Sequence, residues 1–119
     1  MILGRQLVPY LVSKAAVIQW THLLAQDLGR HNINVNCVCP GTVWTPMWER
    51  IAKNRLANDP PAGGSTTRDV YHSAIEMRHP LAVEQTPEDV GYAVAFLASN
   101  DASEITGQAL NVNAGAVLN

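Results

Sequence analysis

The sequence predicts an α/β protein, read as one edge of a doubly wound parallel sheet. Three observations predict it. A long helical pattern leads into a strictly alternating strand, a helical excursion and a further helix follow, and a second short strand comes last. Two strands separated by helices pair in parallel through a crossover. Two strands are also too few for a stable sheet with helices on it. The rest of the sheet is therefore expected outside these residues.

Residues 1–9 read as a short lead-in containing Gly4 and Pro9. From Tyr10 to about Arg30, Leu11, Ala15, Ile18 and the stretch Trp20 to Leu24 place apolar residues at three- and four-residue steps, which predicts a helix. Gly29 and Asn32 are its stop signals. Apolar residues occupy more than one face, so burial on more than one side is expected. Ile33 to Cys39 then alternate, with Asn32, Asn34 and Asn36 on the opposite face, and predict a strand ended by Pro40-Gly41. A short helix is predicted over Met47 to Leu56, a loop over residues 60–64, and a helix over Thr67 to Arg78 closed by Pro80. Thr86-Pro87-Glu88-Asp89 is a helix start: Thr86 caps, Pro87 suits the first turn, and the acids meet the positive end of the dipole. Val90, Ala93, Val94 and Leu97 form its apolar stripe, and Ser99-Asn100-Asp101 ends it. A last strand is predicted from Gln108 to Val112, followed by Gly115.

Composition narrows the function classes. The chain has 119 residues, 47% apolar and 15% charged, against roughly 25% charged in an average domain. Such a surface suits burial in a partner or membership of something larger. The net charge of −2 argues against a nucleic-acid binder. Residues 81–119 carry five acidic and no basic side chains, read as a solvated face. No apolar run approaches the roughly 18 residues of a membrane span, and no export signal is expected. Cys37 and Cys39, two apart in a predicted strand, are poorly placed for a disulfide and read as small buried residues. They fit a reducing, cytoplasmic compartment. No His or Cys spacing suggests a metal site; His22, His31, His72 and His79 read as surface or packing residues.

One pair of residues carries recognisable chemistry. Tyr10 and Lys14 stand four apart, on one face of the predicted helix. A free phenol, with a pKa of about 10, is a poor base at neutral pH. An ammonium beside it favours the phenolate, so the pair suits acid/base work on an alcohol or carbonyl. Alone, Tyr-x-x-x-Lys is a weak pattern, more often the mark of an interface tyrosine and a solvated lysine.

Its context is more specific. Tyr10-x-x-Ser13-Lys14-Ala15-Ala16 is followed by Asn34-Val35-Asn36-Cys37-Val38-Cys39-Pro40-Gly41, then by Thr42-Val43-Trp44-Thr45-Pro46-Met47. Pro87-Glu88-Asp89-Val90, Phe96-Leu97-Ala98-Ser99, Ile105-Thr106-Gly107-Gln108 and Val112-Asn113-Ala114-Gly115 come later. In that order these motifs resemble the C-terminal half of the short-chain dehydrogenase/reductase family, over nearly the whole chain. The resemblance implies the C-terminal portion of a single Rossmann-type domain, about half of its doubly wound parallel sheet. Tyr10 matches the family's catalytic acid/base. Lys14 matches the lysine that holds the nicotinamide ribose and activates the tyrosine. Pro40 and Gly41 match the turn beside the nicotinamide, Val43 the residue whose backbone meets the carboxamide, and Thr45 a hydroxyl near the carboxamide or pyrophosphate. Residues 46–80 match the variable substrate lid. Ser13 matches a structural position, not the catalytic serine. Trp44 and Trp48 read as packing residues before pocket residues. The helix at about 10–30 matches one that packs against a second subunit, which implies a homo-oligomer.

The departures from the family pattern matter equally. No glycine-rich phosphate turn occurs, since Gly63-Gly64 lies in a proline loop. The family's catalytic serine would fall just before Met1. A doubly wound sheet needs roughly 200 residues at about 30 per βαβ step. The expectation is therefore a fragment of an NAD(P)-dependent oxidoreductase acting on a small alcohol or carbonyl, inactive in isolation because its cofactor site is incomplete. Met47-Trp48-Glu49-Arg50 is loosely similar to the lid of polyol and sugar dehydrogenases. That similarity favours NAD over NADP, since such enzymes commonly use it. The alternatives are a non-catalytic remnant that dimerises through the first helix, and a binding module that keeps the lid without a cofactor site.

Overall fold

The structure, a computed structural model, describes residues 8–59 and 64–118. The chain divides into two compact units, one of Met1–Val38 with Val94–Leu110, the other of Cys39–Ala93 with Asn111–Asn119. The elements follow the order α1 (Val8–Leu28), β1 (Cys37–Pro40), α2 (Pro46–Asn58), α3 (Thr67–Arg78), α4 (Pro87–Leu97) and β2 (Ala109–Val112). The Cys37 amide donates to the Gln108 carbonyl at 2.9 Å and the Gly41 amide to the Val112 carbonyl at 2.9 Å. The offset is 71 in both cases (108 − 37 and 112 − 41), so the strands run parallel. This is the predicted α/β pattern with a parallel crossover.

In the first unit, α1 is described over Val8–Leu28 and includes Pro9. After Leu28 the chain tightens into a 3₁₀ turn, Gly29–His31. Asn32 ends it in the left-handed region, at φ 57°, with its amide donating to the Gly29 carbonyl. Asparagine tolerates that conformation better than most side chains. The expected burial of α1 on several sides is not met within this chain: only Thr21 and Ala25 are buried, while Val12, Trp20 and Leu23 stay more than half exposed.

The predicted strand Ile33 to Cys39 shortens to Cys37–Pro40. The reason lies in the asparagines. Asn34 Nδ2 donates to the carbonyls of Ala102 (3.2 Å) and Ser103 (2.8 Å), and Asn36 Nδ2 to that of Ile105 (2.7 Å). Asn36 Oδ1 accepts from the Gln108 amide, and the Val35 amide donates to Thr106 Oγ1. Besides one backbone bond, from the Gly107 amide to the Val35 carbonyl at 2.7 Å, side chains satisfy the backbone groups of the turn before β2, and the regular ladder begins at Cys37. Both cysteines are half-buried, not buried as expected, and among the described residues no disulfide is formed.

In the second unit three helices start as their sequences dictate. Thr45 caps α2, its hydroxyl accepting from the Trp48 amide, with Pro46 in the first position. Thr66 and Asp69 form a capping box on α3. Thr86 and Asp89 bond each other in the same way at α4. The core packs α2 against α3 around Ala52, Val70, Tyr71, Ala74 and Ile75. The acidic side chains Glu84, Glu88, Asp89, Asp101 and Glu104 are all exposed, as read from the sequence. Of the loop predicted over residues 60–64, residues 60–63 lie outside the described residues, as does most of the lead-in.

Candidate functional site

The residues singled out in the sequence fall into two groups, one in each unit. On α1, the four-residue spacing brings Lys14 Nζ to 5.5 Å from the centroid of the Tyr10 ring. Both side chains are exposed. Ser13 turns its hydroxyl onto the Tyr10 carbonyl at 2.7 Å, a local helix bond.

In the second unit the chain leaves β1 and runs extended into the cap of α2. Pro40, Gly41, Val43 and Thr45 line one cavity of about 380 Å³, together with Met47, Trp48, Pro87 and Val90. All four residues of the 40–45 segment singled out in the sequence are therefore brought together. The walls are mainly apolar side chains, and the polar groups come from Thr45 and the backbone, a composition suited to a flat, weakly polar ring.

The segment is held firmly. The Gly41 amide is shared between the Val112 carbonyl and Gln85 Oε1, the latter at 2.8 Å. Gln85 Nε2 donates to the same Val112 carbonyl, and Val43 forms a parallel bridge with Gln85. Gly41 is required by contact: a Cβ there would lie 2.8 Å from Asn113 Cα. Thr42 is bonded twice, its carbonyl accepting from Tyr71 Oη at 3.0 Å and its hydroxyl lying 2.9 Å from His79 Nε2. Trp44 and Trp48 meet the Tyr71 ring edge-on at 5.0 and 5.5 Å. The Arg68 guanidinium lies 4.7 Å from the Trp44 ring and forms a two-oxygen ion pair with Glu84. Trp48 thus both lines the cavity and packs, whereas Trp44 packs.

Burial pushes the Tyr71 phenol up from its ordinary value, with the Glu84 charge adding to it. Burial, then the Arg78 charge, pushes His79 down, so its ring is held neutral. Tyr71, His79 and Gln85 had no signal in the sequence. His79 read as a surface or packing residue; it is buried, with Nδ1 unbonded and Nε2 on Thr42. Among the described residues no three His, Cys, Asp or Glu side chains gather to hold a metal ion, and no helix is long and apolar enough to cross a membrane.

Comparison with known proteins adds the lineage. A family model described as enoyl-(acyl carrier protein) reductase matches residues 2–117. The chain is 42% identical over 111 residues to an L-fucose dehydrogenase of Oryctolagus cuniculus, covering 93% of this chain and 35% of that protein. It is 38% identical over 109 residues to the 3-oxoacyl-[acyl-carrier-protein] reductase FabG of Rickettsia prowazekii, covering 92% and 39%. The crystal structure of L-sorbose reductase from Gluconobacter frateurii, complexed with NADPH and L-sorbose, superposes with a TM-score of 0.79 at 30% identity, over 91% of this chain and 40% of that one. The chain thus spans less than two fifths of the length of these two curated relatives. With a family model matched along almost its whole length and relatives of this kind, the chain belongs to the short-chain dehydrogenase/reductase family, with that family's α/β Rossmann-type fold.

Proposed function

We propose that the chain is the C-terminal part of a nicotinamide-dependent oxidoreductase that interconverts a small alcohol and its carbonyl compound. The observation that supports this best is the 40–45 segment: the four residues that match the family's nicotinamide contacts line a single apolar-walled cavity. The fit is to the nicotinamide end. Pro40, Val43, Met47 and Trp48 suit the face of the ring, and the Val43 backbone and Thr45 hydroxyl suit its carboxamide. Residues for the pyrophosphate are expected from the glycine-rich turn that this sequence does not contain.

The cofactor, NAD or NADP with NAD preferred, supplies or accepts the hydride. The chain's own residues do the rest. Tyr10 gives the proton to the substrate oxygen in reduction and takes it in oxidation. Lys14, whose Nζ lies 5.5 Å from the centroid of the Tyr10 ring, holds the ribose. Residues 46–80, α2 and α3 with their connection, form the substrate lid, and a sugar or polyol is the substrate class. L-fucose dehydrogenase and L-sorbose reductase, both named for sugars, favour that class; the FabG relative favours a 3-oxoacyl substrate and is the competing choice. The compartment proposed is the cytoplasm.

The test is turnover of NADH and NADPH with L-sorbose, L-fucose and an acetoacetyl thioester. It uses this chain joined to the sequence its own gene carries upstream. Activity is expected there, and none from the 119 residues alone. Tyr10→Phe should lower kcat by about 10²–10⁴-fold while nucleotide binding stays intact. Unchanged turnover in that variant removes Tyr10 from the mechanism.

A second reading rests on α1. Val12, Trp20 and Leu23 stay more than half exposed on it, which favours an interaction protein that dimerises through this helix. Sedimentation of the protein and of Trp20→Glu separates the two: loss of dimer with no catalysis in any extended form selects the second reading.

A further inference from the structure

The segment from Gly41 to Thr45 alternates in what it touches. Gly41, Val43 and Thr45 line the cavity. Thr42 and Trp44, between them, meet α3 and its end: Thr42 through Tyr71 Oη and His79 Nε2, Trp44 through the Tyr71 ring and the Arg68 guanidinium. That is the period of two expected of extended backbone, where successive residues face opposite sides. One side of the segment is the wall of the cavity, and the other is fastened to α3.

We propose that Tyr71 and His79 are positioning residues that fix, through Thr42, where the Gly41–Thr45 backbone stands and hence how the nicotinamide end of the cofactor is held. The proposal rests on the dehydrogenase reading above. Tyr71 is fully buried and His79 is 3% exposed, so neither bond competes with water. The His79 ring spends its polar capacity on Thr42 alone, because Nδ1 is buried without a partner. An orphaned N–H is costlier than an orphaned lone pair. The ring therefore carries its proton on Nε2 and donates to Thr42 Oγ1. A fastening made only to secure α3 would not need both groups to converge on one residue of the cavity segment. The buried Val70, Ala74 and Ile75 already secure that helix.

The role is positioning, so its signature is in cofactor kinetics and not in stability alone. The experiment uses the complete gene product that carries this chain, with NADH and NADPH as probes. Tyr71→Phe removes one oxygen from a packed ring, and Thr42→Val removes the hydroxyl that His79 meets. Each should raise the cofactor KM by about three- to tenfold, the scale of one hydrogen bond, and change kcat less. His79→Leu should act like Thr42→Val. The double variant should add nothing, since both remove one bond. His79→Gln, whose amide can donate from nearly the same place as Nε2, should keep KM within about twofold. Amide hydrogen exchange of Val43 and Thr45, measured without nucleotide, should quicken in Tyr71→Phe.

Variants that unfold more easily yet keep wild-type KM and kcat overturn the positioning role alone. A wild-type protein that binds neither nucleotide overturns the dehydrogenase reading and this role with it. Unchanged exchange at Val43 and Thr45 shows that the bonds do not hold the segment, and overturns the role whatever the kinetics.

Discussion

Adding one methyl group to Gly41 should destabilise the protein, while the same methyl at Gly91 should stabilise it. A Cβ at residue 41 would sit 2.8 Å from Asn113 Cα and 3.1 Å from both its Cβ and its carbonyl oxygen. Carbon atoms pack at about 3.5–4.0 Å, so Asn113 must retreat by roughly 0.7–1.2 Å. It is not free to do so. Asn113 is buried; Nδ2 donates to the Val117 carbonyl, Oδ1 accepts from the Gly115 amide at 3.0 Å, and its own carbonyl accepts from the Ala116 amide at 3.0 Å. The Val112 carbonyl beside it receives the Gly41 amide. Overpacking of this kind costs about 1–3 kcal/mol, and breaking one of these bonds adds about 1 kcal/mol. The expected loss is therefore about 2–4 kcal/mol. At Gly91, inside α4, nothing lies within 4 Å of the added carbon, and alanine gains about 0.5–1 kcal/mol over glycine in a helix. Urea unfolding of the two variants and the wild type reads all three values. A Gly41→Ala protein as stable as wild type would show that Asn113 yields freely, and would refute the account of the segment as fixed from both sides.

Three further outcomes are expected. Thr66→Ala, which removes the cap of α3, should cost about 1 kcal/mol in the same unfolding assay, and a neutral result would mean that the bonds to Asp69 contribute nothing. His79 is held below its ordinary 6.5, so on acidification the unfolded chain takes up a proton first. Its contribution is complete above about pH 6.5 and shrinks as pH falls from there toward the lowered folded value. Wild type should lose stability through that window and His79→Gln should lose less; identical slopes count against a buried neutral ring. Arg68→Ala should cost more than Glu84→Gln: the first removes both the ion pair and the cover over Trp44 and Tyr71, about 1 kcal/mol or more, and the second only a partly exposed pair worth a few tenths. Equal costs would assign the whole effect to charge.

What the residues disclosed in advance follows from how local each signal is. α3 was legible to the residue over Thr67 to Arg78, closed by Pro80, and the structure adds the Thr66 cap at its start. The start of α4 was legible for the same reason. β1 was overextended because alternation from Ile33 onward is real, but its polar members, Asn34 and Asn36, bond a turn about 70 residues away. No local pattern reveals that. The 40–45 segment was singled out by motif resemblance, and the structure gathers Pro40, Gly41, Val43 and Thr45 around one cavity. Tyr71, His79 and Gln85 were not legible, since each matters only through a partner 27 to 44 residues distant. The Tyr10–Lys14 pair was readable from spacing alone, as helical neighbours always are.

The parallel pairing of β1 with β2 also sets a timetable for synthesis. Once Cys37 has been made, 71 more residues must follow before the Gln108 carbonyl that receives its amide exists (108 − 37). At about 5–20 residues per second, that is a wait of roughly 4–14 s on the ribosome. α2 and α3 can pack within that interval, whereas the edge of β1 that pairs with β2 stays open. An open strand edge is a template for any other nascent chain. The yield of folded protein should therefore fall as expression is driven harder, and slower translation should not relieve it, because it lengthens the wait that creates the risk.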